Sequence, residues 1–492
     1  MKKNILTLGL LGLAIQTYAQ VPSTFQLAPR FTEVNLNNSL TAPSFAVGNV
    51  HTVSPSIMWA TIYDASGTTA GPTDSFVRTI NGTDFDLGFL TSNVPSFSAA
   101  NIHGITGTTA VASIYSTTVP GGQILRTTNG GRAWLPVTTA AQFAAPGGFN
   151  NLVYMANNGL DGFSFGDPNG GSYEVLVTTD GGATWTRNTS AGLVPTDPGE
   201  YGLVRSYFGR DRKVWAGGGV QASGGQQGGI ARIFRNSNAG QGAWQAATLP
   251  AAFRGTPSDI AFRDDLNGIA MNIVVTGGAI SGYNLAKTTD GGANWTMVTA
   301  NGPVYYDGLD AACGKFISYG RSTVNGAPAS LATRGYSTSV DGINWTNVQT
   351  SIPMISLDVL DNGTNDSGKG FAGYFTNATS GNGGIYRTVS NPNNPPCIAL
   401  PTRASAVQKA LSVYPNPSVN GVFTLDLSSG IKAGTVVTVS DMLGREVYRS
   451  ELNNASISAR SAMVDLSKQK SGVYTLEVRT AEGNAQQKLV IE

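Results

Sequence analysis

The sequence predicts an all-β protein in two parts, a long array of repeated four-stranded sheets and a short terminal β-sandwich. Three observations lead there. A turn motif recurs from position 79 to position 388 at intervals of about 51.5 residues, the length of one four-stranded sheet. Glycine (62) and proline (23) together make about a sixth of the 492 residues. That is above the ~12% of an average chain and below the ~25–30% of low-complexity disorder, so the chain is turn-rich yet able to fold. Alternating apolar segments such as Tyr173–Val177 and Ile230–Phe234 run into the turns as strands do.

The remaining composition narrows the class. Lys plus Arg (31) and Asp plus Glu (30) nearly cancel to a net charge of +1, which excludes a strongly basic nucleic-acid binder and an acidic tail. Charged residues are 12% of the chain, against ~25% in an average protein, so polarity comes from Ser, Thr, Asn and Gly. Lys2 and Lys3 precede an apolar run from Ile5 to Ile15 and the site Thr17-Tyr18-Ala19, the three-part plan of a secretory signal over residues 1–19. The run is shorter than the ~20 apolar residues of a membrane span and no later stretch approaches that length, so no transmembrane segment is expected. In an oxidising compartment Cys313 and Cys397 either form one disulfide or stay two separate buried thiols. Two cysteines and the distant His51 and His103 do not make a zinc site, and no cofactor is implied.

Three copies of the turn match closely: Thr127-Thr-Asn-Gly-Gly-Arg-Ala-Trp134, Thr178-Thr-Asp-Gly-Gly-Ala-Thr-Trp185 and Thr288-Thr-Asp-Gly-Gly-Ala-Asn-Trp295. Shorter copies read Ser339-Val-Asp-Gly-Ile-Asn-Trp345 and Thr79-Ile-Asn-Gly-Thr-Asp-Phe85. A looser one reads Ser237-Asn-Ala-Gly-Gln-Gly-Ala-Trp244, and the seventh, Tyr386-Arg-Thr-Val-Ser-Asn391, lacks the aromatic. These residue types belong together in a tight connection. The Asx side chain (Asn81, Asn129, Asp180, Asn238, Asp290, Asp341) accepts backbone N–H groups, glycine takes left-handed dihedrals, and the hydroxyl bonds within the turn. The aromatic (Phe85, Trp134, Trp185, Trp244, Trp295, Trp345) then seals the hairpin against its neighbour, burying ~150–250 Å².

These turns resemble the Asp-box, or BNR, repeats of sialidase-like and sortilin-like propellers, where they join the third and fourth strands of a blade. The resemblance implies that residues 20–400 form a seven-bladed β-propeller, with six or eight blades left open by the degenerate first and last copies. Little chain follows the seventh turn, so the strand that closes the ring is expected from Phe31–Leu36 or Cys397–Leu400.

Pro392, Pro395, Pro396 and Pro401 interrupt the array, and residues 401–410 read as a linker. Short strands are expected near 411–414, 422–427, 435–440, 445–450, 462–466, 473–479 and 486–491, an immunoglobulin-like β-sandwich over residues 411–492. Tyr414-Pro415-Asn416-Pro417 with Gly421, Asp441-Met-Leu-Gly444-Arg445, Gly472-Val-Tyr474-Thr-Leu476-Glu-Val478 and Lys488-Leu-Val-Ile-Glu492 follow in that order. This segment resembles the type A C-terminal sorting domain of type IX secretion cargo in certain Gram-negative bacteria. The resemblance implies recognition by the translocon at the outer membrane, removal by a sortase-like protease, and a cell-surface or extracellular destination.

The Asx residues of the turns sit where a hairpin needs an acceptor and are assigned to structure. Sialidases use an arginine triad, a tyrosine with a glutamate and an acid aspartate, with an early Arg-Ile-Pro segment. The nearest text here, Arg232-Ile-Phe234, is late and lacks the proline, so the resemblance does not extend to sialidase activity. Two pairs of acids beside strand ends, Asp161 with Asp167 and Asp307 with Asp310, are the catalytic candidates for glycoside hydrolysis, which needs two carboxyls ~5–10 Å apart; turn capping is the competing role. Tyr305, Tyr306, Trp215 and Trp59 either form a sugar platform or pack between blades. Gly363–Lys369 comes near a phosphate loop but has Gly370 for its Ser/Thr, and Asp361–Gly368 lacks a calcium loop's glycine and terminal glutamate. The sequence thus points to an exported propeller that binds a glycan or a surface protein without catalysis. Polysaccharide hydrolysis through funnel carboxylates is the alternative.

Overall fold

The structure, a computed structural model, describes residues 25–27, 45–64, 72–139, 141–144, 148–220, 228–255, 257–276, 279–320, 334–350, 352–361, 366–375, 383–388, 411–427, 435–441, 445–480 and 483–492. The expected signal, the linker 401–410, Phe31–Leu36, Cys397–Leu400 and Gly444 lie outside these residues. The chain divides into two units, Met1–Ala399 and Leu400–Glu492.

Among the described residues the first unit is all-β and propeller-like, with seven four-stranded antiparallel sheets. The first comprises Phe45–Ser54, Ile57–Asp64, Ser75–Thr79 and Asp86–Phe89. The leading strands of the next six are Phe97–Gly104, Asn150–Met155, Tyr201–Arg210, Asp259–Phe262, Gly308–Ala312 and Met354–Val359. The seventh sheet takes its fourth strand from the other end of the chain: Phe25–Leu27 pairs antiparallel with Gly383–Thr388. That strand lies upstream of both segments suggested by the sequence, because three residues are too few to carry a periodicity signal.

The repeated turns join third and fourth strands, and their hydrogen bonds follow from their composition. Thr178 Oγ1 donates to Asp180 Oδ1 (2.8 Å) and accepts the Gly182 N–H (3.1 Å). Asp180 Oδ1 accepts the Thr184 N–H (2.9 Å), and Trp185 Nε1 donates to the Gly182 carbonyl (3.1 Å). Gly181 and Gly182 hold φ of 73° and 75°, which a β-carbon would strain. The 288–295 and 339–345 copies repeat this set. In the looser copy the leading role falls to Asn236, not Ser237. Its Oδ1 accepts the Asn238 and Gly240 N–H groups at 2.7 and 2.9 Å, since an amide oxygen can serve where a hydroxyl serves elsewhere.

Each turn aromatic is buried against the preceding sheet. Trp134 clusters with Trp59 and Phe76 of the first sheet, Trp185 with Val111 of the second, Trp244 with Phe163 of the third, Trp295 with Trp215 of the fourth and Trp345 with Ile269 of the fifth. Phe85 does the same against Phe371 and Ile385 of the seventh. The turn copy without an aromatic leaves the sixth-to-seventh junction to Tyr319, Tyr336 and Met354. Trp59, Trp215, Tyr305 and Tyr306 are all buried, so they fill core rather than form a sugar platform.

The second unit is a β-sandwich. A three-stranded sheet (Leu411–Tyr414, Val422–Leu427, Ser461–Asp465) faces a four-stranded one (Glu446–Glu451, Val436–Asp441, Gly472–Thr480, Gly483–Ile491) across Phe423, Leu425, Val464, Val439, Leu476 and Leu489. The strands fall where alternation placed them. A short helix, Asn454–Ala459, escaped the sequence because six residues are too few for a helical period; Asn453 Oδ1 caps it by accepting the Ser456 N–H at 2.9 Å.

Candidate functional site

Residues from the leading strands of all seven sheets line one cavity of about 400 Å³. It extends to exposed turn residues Asn157 and Asp211, and so reaches the surface at that end. Neighbouring leading strands belong to different sheets, so their backbone N–H groups need acceptors other than a sheet ladder. Asx side chains supply many of them. Asn49 Oδ1 accepts the Ile102 N–H at 3.0 Å and Asn101 Oδ1 the Val153 N–H at 2.9 Å. Asp259 accepts the Leu309 N–H at 2.8 Å, Asp310 the Val359 N–H at 2.8 Å, and Asp358 the Thr52 N–H. Asp259 and Asp310 each accept a second N–H from the residue that follows them, Ile260 at 2.9 Å and Ala311 at 2.7 Å. Asp358 thus ties the seventh sheet to the first, as do Ser356 Oγ, which donates to the Val47 carbonyl (2.9 Å), and Arg387, which donates to the Gly82 carbonyl (2.7 Å).

Burial makes these carboxyls reluctant to ionise. It pushes Asp259 up to about 7 against the pull of two N–H groups and Arg205. Burial and then the neighbouring Asp358 carry Asp310 well above the ordinary carboxylate range, and burial raises Asp358 although His51 and Thr52 oppose it. The His51 and His103 rings lie with centroids 3.6 Å apart, tilted 36° to one another, and burial lowers both. Arg205, at a left-handed φ of 75° within a register break, donates to the Ile355 carbonyl (2.5 Å) and the Tyr319 hydroxyl (3.2 Å), joining the fourth, sixth and seventh sheets.

Of the four acids singled out by sequence, Asp310 alone lines this cavity. Asp161 sits in a turn of the third sheet, ion-paired with Arg212 and accepting from Asn158 (2.6 Å) and Gln241 (3.1 Å). Burial raises its carboxyl, but these bonds outweigh it and hold it below the usual range. Asp167 accepts Asn151 Nδ2 (2.7 Å) within its own sheet and the Gly202 N–H (2.9 Å) across the third-to-fourth seam, and burial pushes it up to about 6. Asp307 precedes the strand Gly308–Ala312. The expected pairs are therefore not gathered at the cavity, because an ion pair and a seam claim two of their members. Sequence reasoning missed Asp259, Asp358, Arg205 and the histidine pair. A signal existed: Asp259, Asp310 and Asp358 each stand about thirty residues before a turn's leading position, a phase visible once the repeats are aligned.

Among the described residues no group of three or more His, Cys, Asp or Glu is placed to hold a metal ion, and no helix is long and apolar enough to cross a membrane. Cys313, in the tight turn after Ala312, is disulfide-bonded; Cys397, the other cysteine of the sequence, lies outside the described residues.

In the second unit the sequence motifs hold the sandwich together. Asn416, between Pro415 and Pro417, donates to the Lys488 carbonyl (2.6 Å) and accepts the Val490 N–H (2.9 Å), clamping the last strand. Gly421 has φ 69°, and a β-carbon there would meet the Leu466 carbonyl oxygen at 2.9 Å. Asp441 accepts the Arg445 N–H (3.0 Å) and Nε (3.1 Å) across the hairpin, Gly472 opens a strand, and Tyr474 and Leu476 enter the core.

Residues 412–492 match the family described as the secretion system C-terminal sorting domain. No curated protein matches the chain. Solved structures similar to it include PorZ, a surface component of the type-IX secretion system of Porphyromonas gingivalis (12% identity, 90% of this chain and 70% of that one, TM-score 0.34). Others are the GH74 xyloglucanase of Xanthomonas campestris (10%, 89% and 79%, 0.42) and a Trypanosoma rangeli sialidase mutant displaying trans-sialidase activity (11%, 95% and 87%, 0.38). The four motif blocks, the sandwich they hold together and the family match agree: the chain ends in a secretion system C-terminal sorting domain, which implies export across the outer membrane to the cell surface or beyond.

Proposed function

We propose that this protein is an exported, non-catalytic binding scaffold: a closed seven-bladed propeller of the Asp-box type that presents a glycan- or protein-binding surface, delivered by its terminal domain. Translocon components and a sortase-like protease are the partners of that domain. The observation that carries the binding reading is the use made of the cavity's acids. Asp259 and Asp310 spend both oxygens on backbone N–H groups, and Asp358 bonds across the next seam, so these acids serve as seam staples. Closure is supported by the seventh-to-first bonds of Asp358, Ser356 and Arg387 and by the pairing of Phe25–Leu27. One observation favours polysaccharide hydrolysis as a second reading: the Asp259 carboxyl, pushed up to about 7, has the proton affinity of a general acid. A glycan array on the mature protein, run beside a polysaccharide hydrolysis screen, separates the two. Retention of a glycan without reducing-end release supports the scaffold, and reducing-end release defeats it.

A further inference from the structure

The axial cavity holds an unpartnered imidazole nitrogen beside two neighbouring buried carboxyls. Its two guanidinium groups are already engaged: Arg210 pairs with Asp361 and Asp265, and Arg205 bonds Tyr319 and Ile355. Asp310 and Asp358 are left as neighbouring carboxyls whose one basic neighbour, His51, burial keeps neutral. His51 Nδ1 accepts the Gly104 N–H at 3.1 Å. His103 is only 4% exposed and its Nδ1 has no hydrogen-bond partner; with the other ring nitrogen bonded to the Met155 backbone, Nδ1 is left as an acceptor lacking a donor. The ring of Tyr154 stands edge-on to His103 at 5.1 Å and Tyr207 lies 6.5 Å beyond it, so the same wall offers aromatic surface. A volume of about 400 Å³ is in the range of small-molecule sites.

The geometry points to a small organic ammonium ligand, a mono- or diamine, seated in the axial cavity with its N–H groups on His103 Nδ1 and the Asp310 and Asp358 carboxyls. An ammonium group brings a donor for His103 Nδ1, a positive charge that the two buried carboxyls balance by releasing their protons, and attraction to aromatic faces. A neutral polyol brings donors without the charge. This assignment rests on the cavity being a binding site and not a reacting one.

The test is isothermal titration of the mature full-length protein at pH 7 with n-butylamine and 1,4-diaminobutane, with 1,4-butanediol and glucose as neutral probes. Saturable one-to-one binding of an amine, with the neutral probes at least ten-fold weaker, is expected. Equal binding of the diol or glucose, or no saturable amine binding at millimolar concentration, overturns the assignment. Because Asp310 and Asp358 also hold backbone N–H groups, the first variant is His103→Leu, expected to weaken amine binding at least five-fold with tryptophan fluorescence unchanged; unchanged affinity overturns the placement. A measurement on the wild type completes the test. Repeating the titration in buffers of different ionisation heat should show protons released as the amine ionises the two carboxyls, and binding without proton release counts against it. Reducing-end release from a polysaccharide by the same preparation would defeat the scaffold reading whatever the amines do, whereas amine failure without hydrolysis leaves that reading standing.

Discussion

Replacing Asp259 with asparagine should change the pH dependence of stability in a defined direction. The native carboxyl sits at about 7 and the unfolded one near 3.8. Between those values the native protein holds a proton that the unfolded chain has released, so the contribution of this group to stability is fully present below about pH 4 and falls as pH rises towards 7. For a fully buried group that whole gap corresponds to about 4 kcal/mol. Asp259→Asn keeps the outline and the neutral state, losing one of the two accepted N–H bonds at every pH, so its unfolding free energy should fall less from pH 4.5 to pH 8 by about 3 kcal/mol. Asp310 and Asp358 titrate in the same direction in both proteins, and because Asp259 acts on Asp310 less than burial and Asp358 do, most of their effect drops out of the difference. The assay is urea unfolding followed by tryptophan fluorescence, which reports the first unit alone because all seven tryptophans lie within it. Parallel pH curves for the two proteins would refute the reasoning.

Other perturbations probe other links. Trp185→Ala removes a buried plug between the second and third sheets and should cost about 3–5 kcal/mol in the same urea assay. Asp290 is held at about 2 because hydrogen bonds from Asn294, Thr288 and Ala293 outweigh the effect of burial; the stability it adds is present above about pH 4 and lost as pH falls towards 2. Asp290→Ala should therefore flatten the acid limb of a melting-temperature profile. Cys313→Ser should lower stability by about 4 kcal/mol if the bond is to Cys397, and reduction of the unsubstituted chain, which breaks the S–S bond and leaves two thiols, should raise its intact mass by two hydrogen atoms. A chain ending at Ala410 should stay in the periplasm of a type IX-secreting host while the full chain is released or displayed, as fractionation would show.

The sheets and the terminal domain were legible because their signals are local and repeated. Thr178, Asp180, Gly182 and Trp185 carry their partners within eight positions, and the Tyr474/Leu476/Val478 alternation declares its own buried face. The cavity was less legible, because its groups meet only after folding: Asp358 bonds Thr52, 306 positions away, and Arg205 reaches Ile355, 150 positions away. Asp161 and Asp167 drew attention as acids beside strand ends, but a residue's type does not reveal that Arg212 or the Gly202 N–H will claim it. Asn236 in place of Ser237 shows the same limit at short range, since an amide oxygen fills a hydroxyl's role without matching its letter.

The claim on which the rest depends is that the seven sheets share one axis, with the seventh against the first. Spin labels on Ile80, Thr179 and Val340, exposed second positions of the turns in the first, third and sixth sheets, measure this directly by pulsed dipolar spectroscopy. A closed ring places both the third and the sixth sheet two steps from the first, so the 80–179 and 80–340 distances should be nearly equal. An 80–340 distance about twice as long or more, as five steps along an open array require, would contradict the account.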